Sequence, residues 1–135
     1  MTVVVDASVA LRWLLDLPGS DKAFAAIQEN DRIIAPDLVL AEIANGIWKA
    51  AMFAGLSHSD AKAALAETDK AFDEFVPAND LKSNALLIAL ELRHSAYDCF
   101  YIALAEARRC KLITADARLV RQCAKTKWAE LLVVL

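Results

Sequence analysis

Five short runs of strand type, each followed or preceded by helix-forming sequence, constrain this chain more than any other feature. They are Val3 to Val5, Arg32 to Ala35, Phe75 to Val76, Leu112 to Thr114 and Leu131 to Leu135. Between the first two, Ala7 to Leu15 are good helix formers that begin directly after Asp6, and Ser20 with Asp21 can cap a second helix to about Glu29. Asp37 is read as the cap of a longer helix to about Ala54, stopped by Gly55, and Ser57 or Ser59 restarts the chain for an Ala-rich helix to Glu74. Asp80 is expected to cap a helix to Arg93, and further helices are expected over Tyr97 to Arg109 and about Arg118 to Ala124. Short apolar strands alternating with helices are the sequence pattern of a parallel sheet covered on both faces. The expected class is α/β: one doubly wound sheet of four or five short parallel strands, flanked by helices on both faces.

A chain of 135 residues fits a single domain spanning 1–135 with enough volume for a real core. Apolar types at 58% against 24% charged, with 3 Gly and 3 Pro, exclude disorder and low-complexity linkers. No uninterrupted apolar run approaches the roughly 18 residues of a membrane span. No basic segment precedes an apolar run at the start of the sequence, so no signal peptide is read there and a cytoplasmic location is expected. Cys99, Cys110 and Cys123 are odd in number and form no C-x-x-C pair, which fits reduced thiols. The net charge of −3 argues against a polyanionic partner only if the acids are spread evenly. With four of the 18 acids gathered in one cleft, 14 would face 15 basic residues, a balance of +1 elsewhere.

The topology itself gathers them. In a parallel α/β sheet each following helix starts at the carboxyl ends of the strands, and ligands bind in the crevice there. Asp6 ends the first strand and Asp116 follows the strand Leu112 to Thr114. Asp98 lies in the first turn of the helix that returns to that strand, and Glu42 in the second turn of the helix after the second strand. Glu42 sits in Val39-Leu40-Ala41-Glu42-Ile43-Ala44 and Asp98 in Tyr97-Asp98-Cys99-Phe100-Tyr101-Ile102, so both interrupt apolar sequence. An isolated buried carboxylate is costly and several together repel, which makes a hard divalent cation the natural counterion. Mg²⁺ or Mn²⁺ is expected. A calcium loop is not visible, and zinc would want more than His58 and His94. A carboxylate-held Mg²⁺ that keeps its waters suits phosphodiester hydrolysis.

The residues at these positions resemble PIN-domain ribonucleases, in particular the VapC-type toxins of toxin-antitoxin pairs. The resemblance runs end to end, through Val3-Val4-Val5-Asp6-Ala7-Ser8, Pro36 to Asn45, Tyr97 to Ala105 and Leu112-Ile113-Thr114-Ala115-Asp116. It implies that Asp6, Glu42, Asp98 and Asp116 form an acidic quartet binding Mg²⁺, with Mn²⁺ able to substitute, and that Asp6 and Asp98 are direct ligands. Ser8 and Thr114 match the small hydroxyl positions beside the first and last acids, where they orient a carboxylate or a metal-bound water. The resemblance further implies cleavage of RNA, often tRNA or rRNA, a homodimer, and a VapB-type antitoxin that lays a segment across the acidic cleft.

Simpler roles stand beside these. Asp6, Asp98 and Asp116 can each cap a helix or complement its dipole. His94 next to Ser95 is not read as a nucleophilic pair, because neighbours in a loop rarely face each other and no G-x-S-x-G elbow is present. Trp13, Trp48 and Trp128 are read as core or interface anchors. Arg12, Lys49, Lys82, Arg118 and Arg121 are read as solvated charges, some of which approach the cleft if a polyanion binds. Two other readings share parts of the pattern. An aspartyl-phosphate-type phosphoryl-transfer domain would want a second acid where Ser8 stands, and a non-catalytic PIN-like protein-binding module would keep the acids without using them.

Overall fold

The computed structural model describes residues 1–135. In chain order the elements are β1 (Thr2–Val5), α1 (Ala7–Leu14), α2 (Ser20–Gln28), β2 (Arg32–Pro36), α3 (Leu38–Phe53), α4 (His58–Ala71) and β3 (Glu74–Val76). They continue with α5 (Ala78–Leu92), α6 (Ala96–Arg108), β4 (Lys111–Thr114), α7 (Ala117–Cys123) and β5 (Leu132–Val134). The strands make one sheet in the order β3-β2-β1-β4-β5 with every pairing parallel. The α/β class with a five-stranded parallel sheet is therefore as the sequence leads one to expect. No helix is long and apolar enough to cross a membrane.

β1 is the centre of the sheet because it can be dry on both faces. Val3, Val4 and Val5 are all buried, and Val4 stands opposite Ile34 on one side and Leu112 on the other. β-branched residues suit such a doubly covered strand. Parallel neighbours require crossovers, and crossovers are right-handed. Stepping from β1 to β2 to β3 in one direction places α1 to α4 on one face. Returning past β1 to β4 and β5 places α5 to α7 on the other. The helix contacts follow: α1 packs on α2, α3 and α4, while α5 packs on α6, which lies across β1, β2 and β4. The reversal of direction at β1 opens a crevice between β1 and β4 at the carboxyl edge of the sheet, the place where such sheets bind ligands.

Several local details differ from the sequence reading. Asp37 precedes α3 but makes no side-chain cap there; its carboxylate instead accepts the Ala78 N–H at 2.9 Å, tying the start of α3 to the start of α5. Asp80 lies inside the first turn of α5, which begins two residues earlier. Ser57, not Ser59, caps α4, its hydroxyl accepting the Asp60 N–H at 3.0 Å. The apolar tail is split into a short 3-10 turn over 129–131 and β5, because the Leu131 N–H bonds the Trp128 carbonyl before the chain extends. Gly46 in the middle of α3 has a packing reason, since a Cβ there would run into the Leu11 side chain of α1. At the amino edge, Arg108 and Arg32 both bond Glu74 and hold its carboxyl down at about 2, linking β2, β3 and α6.

One core residue breaks the rule that buried polar atoms are paired. Thr68 of α4 is 1% exposed and its hydroxyl has no hydrogen-bond partner. An unpaired buried hydroxyl costs about 1–3 kcal/mol, and valine has the same shape without it. Thr68→Val is therefore expected to raise the urea unfolding midpoint, by about 1 kcal/mol in stability. A lower midpoint would show that Thr68 finds a partner in solution.

Candidate active site

The carboxyl edge is built from β1 outward. Asp6 follows Val5 with no intervening loop and is the N-cap of α1, its Oδ1 accepting the Val9 N–H at 3.2 Å. The same oxygen accepts the Ser8 hydroxyl at 2.5 Å. The Ser8 oxygen in turn accepts the Ala115 N–H at 2.9 Å, so one hydroxyl bridges the crevice between β1 and the loop after β4. Asp6 is only 6% exposed. Burial pushes its carboxyl up to about 6, against the pull of the Ser8 and Thr114 hydroxyls and the Val9 N–H, and the Asp98 charge pushes it the same way.

Asp98 stands in the first turn of α6 and faces both Asp6 and Glu42 electrostatically. Its Oδ2 lies 2.7 Å from His94 Nε2. Glu42, on the second turn of α3, is half-buried, and burial pushes its carboxyl up while the Tyr101 hydroxyl, which donates to its Oε1 at 2.5 Å, opposes the shift. Tyr101 is one turn beyond Asp98 on α6 and is 1% exposed. Burial, with the Glu42 charge, pushes the Tyr101 phenol far up, so it remains a donor. Asp116 reaches the same edge after β4 but caps α7, its Oδ1 accepting from Arg118 N at 2.9 Å and Leu119 N at 3.3 Å. Thr114 accepts the Asp116 N–H at 3.0 Å, which fixes that turn.

Three of the four acids, Asp6, Glu42 and Asp98, thus share one electrostatic neighbourhood, and Asp116 lies across the crevice bridged by Ser8. No Lys or Arg makes a salt bridge with any of the four. As the side chains stand, no three His, Cys, Asp or Glu groups converge at metal-ligand geometry; one oxygen each of Glu42, Asp98 and Asp116 is taken by a protein donor and the other is left free of it. The donor chemistry fits a hard divalent cation: oxygen ligands, like charges side by side, and no Lys or Arg to neutralise them. Two contributors escaped the sequence reading. The signal for Tyr101 is its three-residue spacing from Asp98, which places both on one helix face. The signal for His94 is its four-residue spacing from Asp98, which spans the start of the helix.

A family model described as PIN domain matches residues 3–125. Ribonuclease VapC9 of Mycobacterium tuberculosis is 38% identical over 117 residues, covering 87% of this chain and 87% of that protein. Ribonuclease VapC3 of Pyrobaculum aerophilum is 33% identical over 128 residues, covering 90% of this chain and 95% of that one. Among solved structures, the crystal structure of a Pyrobaculum aerophilum protein superposes with a TM-score of 0.71 at 25% identity, over 96% of this chain and 82% of that one. VapBC2 from Rickettsia felis, bound to a DNA fragment from its promoter, superposes with a TM-score of 0.68 at 14% identity over 100% of this chain and 99% of that one, a likeness of fold alone. By the match along its length, the acids at its sheet edge and these relatives, the chain belongs to the PIN-domain family, in its VapC group.

Proposed function

We propose that this chain is a Mg²⁺-dependent endoribonuclease, with Mn²⁺ able to substitute, and the toxin half of a VapBC-type pair. The observation that carries the reading is Asp6, a buried carboxylate at the switch point of the sheet, repelled by Asp98 and paired with no basic side chain. Ribonuclease is the activity in the names of the curated relatives. Asp6 and Asp98 would hold the cation directly, and Glu42 and Asp116 would complete the pocket. Bound there, the cation would supply the chemistry of water activation and of offsetting charge on a departing oxyanion.

The remaining work falls to the chain's own side chains. Ser8 and Val9 N–H fix Oδ1 of Asp6, so the carboxylate cannot swing out of the crevice. Tyr101 fixes one oxygen of Glu42, and His94 one oxygen of Asp98. Arg12 reaches back to the Ser8 carbonyl at 2.8 Å, and Arg118 stands in the first turn of α7 beside Asp116; both offer positive charge toward the edge for RNA phosphates. A VapB-type antitoxin would cover the acidic cleft; structures of toxin-antitoxin complexes with this fold, from Klebsiella pneumoniae and Rickettsia felis, support that partner. A homodimer is the assembly we expect, and Leu86, Leu87 and Leu90, all exposed on α5, offer apolar surface for it.

Purified protein with Mg²⁺ or Mn²⁺ is expected to cut cellular RNA into defined fragments, and EDTA or Asp98→Asn to lower the rate at least about 100-fold. Activity that survives Asp98→Asn would sink the assignment of the acids; none on any RNA, with the partner removed, would favour a binding module.

The acids also set the pH dependence of stability. Asp6 titrates higher folded, at about 6, than its ordinary 3.8, so between these values the folded state holds a proton that the unfolded state has released. Metal-free protein is therefore expected to gain stability as pH falls from 7 to 5, by an amount on the order of 1–3 kcal/mol. Asp6→Asn should flatten that slope, and saturating Mn²⁺ should reverse it, because the cation binds the deprotonated acids. Unfolding in urea at pH 5, 6 and 7, in EDTA and in Mn²⁺, checks this. A slope in EDTA that Asp6→Asn leaves unchanged would refute the assignment.

A further inference from the structure

We propose that His94 is a positioning residue for Asp98, fixing one carboxylate oxygen so that the other is presented to the metal in a set orientation; the inference rests on the metal-binding reading above. His94 belongs to none of the motif stretches that identify the family, and its place is a product of the turn between α5 and α6. α5 ends at Leu92, and Arg93 adopts a left-handed conformation with φ 55°. The His94 N–H then donates back to the Ala89 carbonyl at 3.2 Å, closing the helix end. The chain turns at once into α6, so His94 and Asp98 meet four residues apart across its start.

The geometry is that of an oriented ligand. The His94 side chain is 10% exposed and the Asp98 side chain 33%, so the imidazole is the more deeply buried of the pair. An ionised carboxylate only accepts, so Nε2 carries the hydrogen and donates to Oδ2 at 2.7 Å. Oδ1 makes no hydrogen bond to the protein. A carboxylate anchored in this way loses less rotational freedom when its free oxygen takes a cation, and partners of this kind are worth about 10- to 100-fold in metal affinity. Tyr101 does the same for Glu42 one turn along the helix, also taking one oxygen and leaving the other. Tyr101 belongs to the buried core and His94 is largely covered in the turn before α6, so both carboxylates are held from the side away from solvent.

The test is Mn²⁺ affinity of the RNA-free full chain, read as free Mn²⁺ by electron paramagnetic resonance, with urea unfolding in EDTA as the check on folding. Two amide variants isolate the hydrogen bond. His94→Gln places its amide nitrogen where Nε2 stands, whereas His94→Asn falls one methylene short. His94→Gln should stay within about threefold of wild type, and His94→Asn should weaken Mn²⁺ binding about 10- to 100-fold at similar urea stability. Cleavage should follow, with His94→Asn restored toward wild-type rate by raised Mn²⁺. Wild-type affinity in His94→Asn, or equal weakening in both variants at equal stability, would overturn the proposal. Mn²⁺ binding that responds to His94→Asn without any RNA cleavage would support it while removing the nuclease reading. A wild-type chain that binds no Mn²⁺ would remove both.

Discussion

The burial of one carboxylate at the end of the central strand organises the rest of this molecule. Asp6 closes β1, starts α1 by capping it, and through Ser8 connects the two sides of the crevice in which the sheet changes direction. Keeping that acid ionised in its buried place costs stability on the order of 1–3 kcal/mol, a sizeable share of the 5–15 kcal/mol typical of a domain. The cost is tolerated because the surrounding core is dry and continuous: Val4, Val5, Ile34 and Leu112 are all fully buried around it. A divalent cation held between Asp6 and Asp98 would offset it, so the same residues that strain the metal-free protein would stabilise the loaded one.

Much of the fold was legible because the chain uses strong local signals. Three valines ending in an acid can only be a short buried strand, and the strand runs Leu112 to Thr114 and Ile33 to Ala35 have the same character. Parallel topology then follows from the helices between them, and the topology alone brings Asp6, Glu42, Asp98 and Asp116 to one edge. The places where sequence reasoning failed share a cause. Asp37 caps a helix that begins 41 residues further on, and Asp80 sits inside a helix it was expected to start. Cap residues choose among nearby backbone donors, and which donor is near depends on tertiary packing rather than on local sequence.

The site was legible as a list of acids and illegible as a set of hydrogen bonds. Tyr101 and Glu42 are 59 residues apart, and nothing in the spacing of either announces the 2.5 Å contact between them. His94 lies in a turn whose shape depends on a left-handed arginine, a conformation no propensity would assign to that residue. The acids are therefore held in two ways. Backbone topology fixes where each begins, and the side chains of Ser8, Tyr101 and His94 fix which oxygen is free. Acids on rigid elements with one oxygen each fixed by a neighbour are what precise placement of the proposed metal would require.

The most direct test of the central claim is a crystal of this chain grown with Mn²⁺ at neutral pH, with anomalous diffraction recorded at the manganese edge. The expected result is a peak in the crevice between β1 and β4, ligated by the carboxylates of Asp6 and Asp98, with Glu42 and Asp116 around it. A crevice without manganese, or a peak elsewhere while Asp6 keeps only its bonds to Ser8 and Val9, would contradict it.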